Sequence, residues 1–297
     1  MELGRLLTAM VTPFDREGEV DYGQAKRLAL ALLDAGSDGL VVAGTTGEAP
    51  TLTHDEKLTL FREVKAAVGD RGAVVAGTGT NNTAASIALS QEAEAAGVDA
   101  LLLTAPYYNR PPQEGLYRHF RAIAEATSLP CIIYNIPSRT AVNVTVETQL
   151  RLAEIPNMAG VKEASGDLEQ IASIIEGAPD FRVWSGDDQM ALPIIAIGGY
   201  GVIGVSTHLV GLQMRTMIEA QLDGRGSEAA AIHRRLLPLM KTLMTAAPNP
   251  IPLKYALNHT GFAVGGLRLP LIEADAAVAE SVVAELARHQ IDLAVAV

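Results

Sequence analysis

Lys162 is the residue of this sequence whose position best suits covalent chemistry. It follows the apolar run Met158–Val161, and an ammonium that faces a packed interior is costly unless it is paired or used. Burial would lower its pKa and release the neutral amine, which condenses with a ketone to give an electron-withdrawing iminium. The pattern alone leaves open a lysine that points to solvent or pairs with Glu163. The other lysine of interest, Lys254, is expected to be structural.

Tyrosine hydroxyls could shuttle the protons that such a condensation moves. Tyr134 ends an apolar run one predicted strand before Lys162, and Tyr107 and Tyr108 lie in a loop that Pro111-Pro112 makes rigid. The alternative for each tyrosine is a packed ring whose hydroxyl binds a backbone carbonyl. All three are therefore candidates for proton transfer.

Two segments could bind carboxylates. The turn Gly44–Glu48, GTTGE, offers backbone N–H groups and two hydroxyls, although a glycine-rich loop after a strand is common and the pattern is weak. Arg139 carries a planar guanidinium that can hold a carboxylate through two hydrogen bonds. Its alternative is a surface ion pair.

Other patterns have structural interpretations. Thr53–Glu56 is typical of a capping box at a helix start, and Asp187 and Asp188 are expected to cap the helix that follows them. The segment Gly199–Gly204 resembles a phosphate loop, but it has no basic residue nearby, so we interpret it as close backbone packing. The six histidines and the single cysteine show no metal-ligand spacing.

Eight short apolar runs alternate with segments of helical periodicity, a pattern typical of parallel strands joined by helices. The predicted strands are Leu6–Val11, Gly39–Ala43, Ala73–Ala76, Ala100–Leu103, Cys131–Tyr134, Ala159–Lys162, Arg182–Trp184 and Val202–Val205. Eight such units predict an α/β fold, a (β/α)₈ TIM barrel, in which active sites lie at the carboxyl ends of the strands. The candidate residues above follow those ends.

After about Gln221 the pattern contains helices only. Apolar periodicity predicts helices over Glu228–Met244, after Pro252 and over Ala274–Leu293, and the prolines of Ala246–Pro252 interrupt the first two. We therefore predict a catalytic barrel over residues 1–223 and a three-helix C-terminal appendage over residues 224–297.

Composition restricts the class of protein. A net charge of −11 and a pI near 5.0 leave no basic surface for nucleic acid. One cysteine, Cys131, allows no internal disulfide, and an acid at position 2 does not suit a secretory signal, so we expect a cytoplasmic protein. The run Gln189–Met214 has no charged residue, but its proline and glycines argue against a membrane span.

Taken together, the segments at the strand ends resemble the dihydrodipicolinate synthase / N-acetylneuraminate lyase family of class I aldolase-like barrels. The resemblance covers nearly the whole chain and rests on GTTGE at Gly44–Glu48, YNIPSRT at Tyr134–Thr140, GVKEA at Gly160–Ala164, NPIPLKYAL at Asn249–Leu257 and LRLP at Leu267–Pro270. Several separated motifs in the family's order are far more specific than any one of them.

The resemblance implies a role for each residue. Lys162 would be the Schiff-base lysine and Tyr134 the general acid/base, with Thr45 and Tyr108 completing a relay of hydroxyls. Thr46 would hold the carboxylate of pyruvate. Because the relay tyrosine reaches a neighbouring subunit in such enzymes, a homo-oligomer is implied, namely a tight dimer within a tetramer.

The substrates follow from the same resemblance. Arg139 favours the synthase branch of the family, in which it receives the carboxylate of L-aspartate 4-semialdehyde, and we assign Gly186 and Ile203 to substrate binding as well. The implied reaction condenses this aldehyde with pyruvate, without a cofactor other than the covalent pyruvate imine, on the route to lysine and diaminopimelate. The alternatives are an aldolase for N-acetylneuraminate or a 2-keto-3-deoxy sugar acid, and a ligand-binding sensor barrel without activity.

Feedback inhibition by lysine can be considered position by position. His54, Asn81 and Tyr107 match the members of the family that lysine inhibits, whereas Lys57 stands in place of a histidine and Ala85 in place of a glutamate. An unpaired cation repels a cationic ligand. We therefore expect weak or absent inhibition by lysine.

Overall fold

The computed structural model describes residues 3–294. Its eight strands are β1 Leu6–Ala9, β2 Gly39–Val42, β3 Ala73–Gly77, β4 Ala100–Thr104, β5 Cys131–Asn135, β6 Met158–Glu163, β7 Arg182–Ser185 and β8 Gly201–Gly204. Neighbouring strands pair in parallel, and β1 pairs with β8 to close the sheet. The predicted TIM barrel is confirmed, and every strand lies within two residues of its predicted bounds.

Helices cover the outside of the barrel and form its C-terminal extension. They are α1 Tyr22–Asp34, α2 His54–Val68, α3 Thr83–Ala95, α4 Gln113–Ala124, α5 Pro137–Thr140, α6 Val146–Ala153, α7 Leu168–Gly177, α8 Ala191–Ala196, α9 Thr207–Leu222, α10 Gly226–Thr245, α11 Ile251–His259 and α12 Ala276–Leu286. The capping box predicted at Thr53 and Glu56 opens α2. It satisfies backbone donors that a helix start leaves without partners.

The strands are buried because side chains on both of their faces meet apolar partners. Tyr134, Trp184 and Ile203 belong to a cluster that fills the barrel interior, while a second cluster lies between the strands and the helices. The glycines of Gly199–Gly204 do pack closely: a Cβ on Gly201 would stand 2.0 Å from the Arg5 carbonyl oxygen. The sequence-based interpretation of this segment is therefore confirmed.

The C-terminal part contains α10, α11 and α12 among the described residues. The outer core runs without interruption from the barrel into these helices, so the division at 223/224 stays a prediction, and residues 1, 2 and 295–297 of the two ranges lie outside the described residues. The helix predicted up to Leu293 ends at Leu286. Beyond it the chain turns back onto the barrel, where Asp292 N–H donates to the Leu209 carbonyl at 2.7 Å.

No helix in residues 3–294 combines the length and the apolar character that crossing a membrane requires. The uncharged run Gln189–Met214 instead spans α8, β8 and the first part of α9.

Candidate active site

Lys162 and Tyr134 lie side by side at the carboxyl end of the barrel. They occupy paired positions of β6 and β5, and because alternate residues of a strand face the same side, both side chains point into the barrel. The Lys162 Nζ lies 4.4 Å from the centroid of the Tyr134 ring. Each side chain is only 5% exposed. The candidate amine and the candidate proton donor thus share one buried space.

Glu163 does not pair with Lys162. Its carboxylate faces away from the interior and accepts hydrogen bonds from Asn135 Nδ2, Gln149 Nε2, Gln170 Nε2 and the Ser165 N–H at 2.8–3.2 Å. Among the described residues, none of the carboxylates forms a salt bridge with Lys162. The alternative of a Lys162–Glu163 pair is therefore wrong.

Burial sets the protonation of both groups. It lowers the pKa of Lys162 to about 8, with the charge of Asp188 opposing this change and that of Arg139 adding to it. Burial raises the pKa of the Tyr134 hydroxyl, so the phenol keeps its proton near neutral pH. The site therefore combines an amine that is partly neutral near pH 8 with a hydroxyl that can donate.

Asp188 has a different place from the one the sequence suggested. Asp187 caps the turn after β7 by accepting from Gln189 N–H at 2.9 Å, as expected. Asp188 is buried instead, and it accepts from the N–H groups of Val205 and Ser206 at 2.7–3.1 Å. It joins the ends of β7 and β8 and places a carboxylate in the barrel mouth, a role that no local pattern indicates.

The turn Gly44–Glu48 lies beside this site after β2. Thr46 is 3% exposed, and its Oγ1 accepts a hydrogen bond from Asn249 Nδ2 at 2.9 Å. Thr45 lines a cavity of about 250 Å³ together with Arg139 and Tyr107. The structure thus brings both threonines of the turn and Arg139 to the same end of the barrel as Lys162.

Gly186 and Ile203 also lie at this end. Gly186 follows β7, and a Cβ added to it would stand 3.1 Å from Lys162 Cγ and 2.9 Å from Ala164 Cβ. Ile203 lies in the same interior cluster as Tyr134. Gly186 thus borders the lysine side chain, and Ile203 shares the barrel interior with Tyr134.

Tyr108 is the one candidate that its own chain does not bring into the site. Its side chain is 90% exposed, and its backbone has a φ of +73°, which is uncommon for a residue with a side chain. Asn81 Nδ2 donates to the neighbouring Tyr107 carbonyl at 3.3 Å, and Asn109 Nδ2 donates to the Asn81 carbonyl at 3.1 Å. The loop is thus braced while the Tyr108 ring projects outward.

The histidines do not form a metal site. Within the described part of the chain, no three His, Cys, Asp or Glu side chains are placed to hold a metal ion. His208 is buried and binds backbone groups through both ring nitrogens, and burial lowers its pKa to about 4. It is therefore a neutral structural residue.

A closed parallel barrel with a buried lysine at the end of its sixth strand and a tyrosine beside it defines a (β/α)₈ protein of the aldolase-like class. The chain belongs to the dihydrodipicolinate synthetase family, whose model matches residues 2–289. The resemblance drawn from the sequence motifs is confirmed.

Known relatives are similar over almost their full length. The 4-hydroxy-tetrahydrodipicolinate synthase of Moorella thermoacetica is 60% identical, with 96% of this chain and 98% of that protein covered. The synthase of the same name from Dehalococcoides mccartyi is 58% identical, with 98% of both covered. Among solved structures, the lysine-bound enzyme from Cyanidioschyzon merolae is 45% identical, with a TM-score of 0.94 and coverage of 96% and 98%.

Proposed function

We propose that this chain is a lyase that acts as a 4-hydroxy-tetrahydrodipicolinate synthase, condensing pyruvate with L-aspartate 4-semialdehyde. The observation that carries the proposal is the buried Lys162 amine, whose Nζ lies 4.4 Å from the centroid of the Tyr134 ring. Relatives that are 58% and 60% identical to this chain carry that name. The product leads to diaminopimelate and lysine.

The reaction begins at Lys162. Its neutral amine attacks the keto carbon of pyruvate, and loss of water from the carbinolamine leaves an imine. The imine loses a methyl proton to give an enamine, whose carbon attacks the aldehyde carbon of the second substrate. The amino group of that substrate then attacks the imine carbon, closes the ring and releases Lys162. One water leaves overall, and the covalent imine takes the place of any cofactor.

Hydroxyl groups move the protons of these steps. Tyr134 holds its proton at neutral pH because burial raises its pKa, so it can protonate the departing hydroxyl of the carbinolamine. Thr45 stands at the mouth of the site and passes protons between Tyr134 and Tyr108. Tyr108, 90% exposed on its own chain, reaches the site of a neighbouring subunit. A homodimer is thus the minimum active unit, and we place it within a tetramer.

Four residues bind the substrates. The buried Thr46 hydroxyl holds the pyruvate carboxylate, and the Arg139 guanidinium receives the carboxylate of the aldehyde. Gly186 leaves room beside the Lys162 side chain, since a Cβ there would stand 3.1 Å from Cγ. Ile203 contributes an apolar wall from the barrel interior. The enzyme works in the cytoplasm, where its buried free cysteine Cys131 stays reduced.

Trapping with borohydride tests the proposal. Incubation with pyruvate and reductant should add the mass of one reduced pyruvate to each chain, and peptide mapping should place it on Lys162. Lys162→Ala should abolish the adduct, whereas Lys57→Ala, which removes another lysine at the barrel mouth, should keep it. Absence of an adduct in the unmodified protein would favour a binding barrel without this chemistry.

A coupled assay identifies the second substrate. We expect turnover with aspartate semialdehyde and none with N-acetylneuraminate or 2-keto-3-deoxy sugar acids. An adduct on Lys162 combined with turnover of a sugar acid would keep the mechanism but reject the proposed substrate.

A further inference from the structure

The turn that carries Thr46 is held by side chains from the C-terminal appendage. Asn249, in the segment between α10 and α11, donates from Nδ2 to Thr46 Oγ1 at 2.9 Å. Lys254 of α11 places Nζ 2.7 Å from Glu48 Oε1. All four residues are at most 5% exposed. The appendage therefore reaches both ends of the segment that follows Thr45.

The Glu48 contact fixes the backbone of the turn. Glu48 has a φ of +56°, and Ala43, before the turn, has a φ of +52°. Such conformations cost about 1 kcal/mol or more in residues with side chains and persist only where the surroundings enforce them. Besides Lys254, the Arg268 N–H donates to Glu48 Oε2 at 3.1 Å. The appendage thus supplies the contacts that keep this end of the turn in place.

The Asn249 contact occupies a lone pair of the Thr46 hydroxyl and leaves its hydrogen unused. A hydroxyl has one hydrogen to donate and lone pairs that accept. Because Asn249 donates to Oγ1, the Thr46 hydrogen is not used in this bond, and among the described residues Thr46 has no other side-chain hydrogen bond. The hydrogen is therefore free to be donated to a ligand.

We propose that Asn249 is a positioning residue that turns the Thr46 hydroxyl toward the carboxylate of the bound keto acid, which makes the appendage part of the substrate-binding apparatus. This inference rests on the proposed function, in which Thr46 binds pyruvate. A carboxylate only accepts hydrogen bonds, so a hydroxyl already directed to donate binds it without first having to reorient. Asn249 itself touches no reacting atom.

Two substitutions test the direction of this hydrogen bond. Asn249→Ala removes the donor, and Asn249→Asp keeps the shape but can only accept, so it takes the Thr46 hydrogen for itself. We expect Asn249→Ala to raise the KM for pyruvate and the pyruvate concentration that half-saturates borohydride trapping by about threefold, because the Thr46 hydroxyl keeps its hydrogen and loses only its fixed direction. Asn249→Asp should raise both by about tenfold, as for one lost hydrogen bond to a charged ligand. The kcat at saturating pyruvate should stay within about twofold, because the lost interaction is one of binding.

Asn258→Ala is the matched control. Asn258 lies in the same appendage, and its side chain bonds the Gly265 carbonyl at 2.9 Å and the Val264 N–H at 2.7 Å, without reaching the turn. Its loss should lower thermal stability and leave the KM for pyruvate unchanged. A rise in KM equal to that of the Asn249 variants would mean that any disturbance of the appendage has this effect, and would overturn the proposal.

A double-substitution cycle tests whether Asn249 acts through Thr46. Thr46→Val should itself raise the KM for pyruvate, and Asn249→Ala should add nothing in that background. Additive effects, or an unchanged KM in Asn249→Asp, would overturn the proposal. Should Asn249→Asp fail to fold, Asn249→Ala and the cycle decide the question. These experiments distinguish failure of the proposed function from failure of this inference. Absence of an adduct on Lys162 in the unmodified protein rejects the function, whereas an adduct whose formation does not depend on Asn249 rejects only this inference.

Discussion

The Lys162 ammonium lies 4.4 Å from the centre of the Tyr134 ring, on strands whose register sets these two residues opposite each other. The face of the tyrosine ring attracts the ammonium only weakly. Burial of the side chain lowers the pKa of Lys162 to about 8. The nearest acid in sequence, Glu163, is turned to the opposite face of β6. The amine is thus left without a salt-bridge partner among residues 3–294.

The first prediction concerns pH. Because only the neutral amine attacks pyruvate, the rate of imine formation at sub-saturating pyruvate should rise about tenfold per pH unit well below pH 8 and level off above about pH 9. Quenched-flow trapping with borohydride would measure this profile. An inflection near the ordinary lysine value of 10.5 would contradict the burial argument.

Substitutions of Arg139 test the direction in which a nearby positive charge moves the pKa of Lys162. The charge of Arg139 lowers the pKa of Lys162, so Arg139→Gln should move the inflection to higher pH, whereas Arg139→Lys, which keeps the charge, should leave it nearly in place. A shift to lower pH in Arg139→Gln would show that another group controls the titration.

A second prediction concerns the space beside the lysine. Gly186→Ala would place a methyl 2.9 Å from Ala164 Cβ and 3.1 Å from Lys162 Cγ. Both contacts are closer than ordinary ones, so Ala164 must move and the lysine side chain must give by a few tenths of an ångström. Because displacement of a reacting group by about 1 Å can cost about a hundredfold in rate, we expect this smaller shift to lower kcat by between about twofold and tenfold, as measured by coupled assay.

Gly115→Ala is the comparison for that substitution. Its Cβ would meet Pro111 and Pro112 at 3.4 Å, an ordinary contact on α4, and it should leave kcat unchanged. Equal losses in both variants would mean that the effect of Gly186→Ala is not local.

The third prediction concerns the buried ion pair between Lys254 and Glu48, whose side chains are 1% and 0% exposed. Lys254→Met would leave the carboxylate buried without its partner, which typically costs about 3–5 kcal/mol in the free energy of unfolding. Adding Glu48→Gln should recover most of the loss, because the uncompensated charge is then gone. Urea denaturation would measure both variants.

The exposed pair Arg71–Asp34, at 2.6 Å and with side chains 52% and 66% exposed, serves as the reference for that measurement. Arg71→Met should change the free energy of unfolding by less than about 1 kcal/mol. A comparably small loss in Lys254→Met would contradict the importance of burial for the Lys254 pair.

The fourth prediction is that lysine binds weakly or not at all. Lys57 lines the same cavity as Tyr107, burial lowers its pKa, and it has no salt-bridge partner in the described part of the chain. Ala85, at the start of α3, offers no carboxylate to an ammonium. Calorimetry should detect no binding at sub-millimolar lysine, although a relative at 45% identity has been solved with lysine bound.

The reverse substitutions sharpen this prediction. Lys57→His combined with Ala85→Glu removes the repelling charge and adds an acceptor, so the double variant should bind lysine more tightly than the unmodified protein. Tight binding by the unmodified protein would show that the two positions do not govern recognition.

The strands and the place of Lys162 at a strand end could be predicted because both depend on local pattern. Short apolar runs fix the strands, and Lys162 is conspicuous because it ends one of them. Asp188, Glu163 and Asn249 could not be placed in this way, since their partners are distant in sequence or lie on other elements. Asn249 and Thr46 are 203 positions apart, and nothing near either residue indicates the other.

The helix predicted up to Leu293 failed for a related reason. Ile291 and Leu293 continue the apolar period of α12, but they join the outer core from an irregular segment rather than from a helix. Periodicity records which residues are apolar and leaves open which surface they meet. Tertiary contacts decided the end of this helix.

The hydrogen bond from Asn249 to Thr46 also bears on the order of events during synthesis. A ribosome that has translated Gly204 has produced all eight strands, but it has not yet added Asn249. The threonine turn therefore lacks this hydrogen bond until the segment between α10 and α11 has been made. A chain truncated before Asn249 would keep Thr46 but lose the group that directs its hydroxyl.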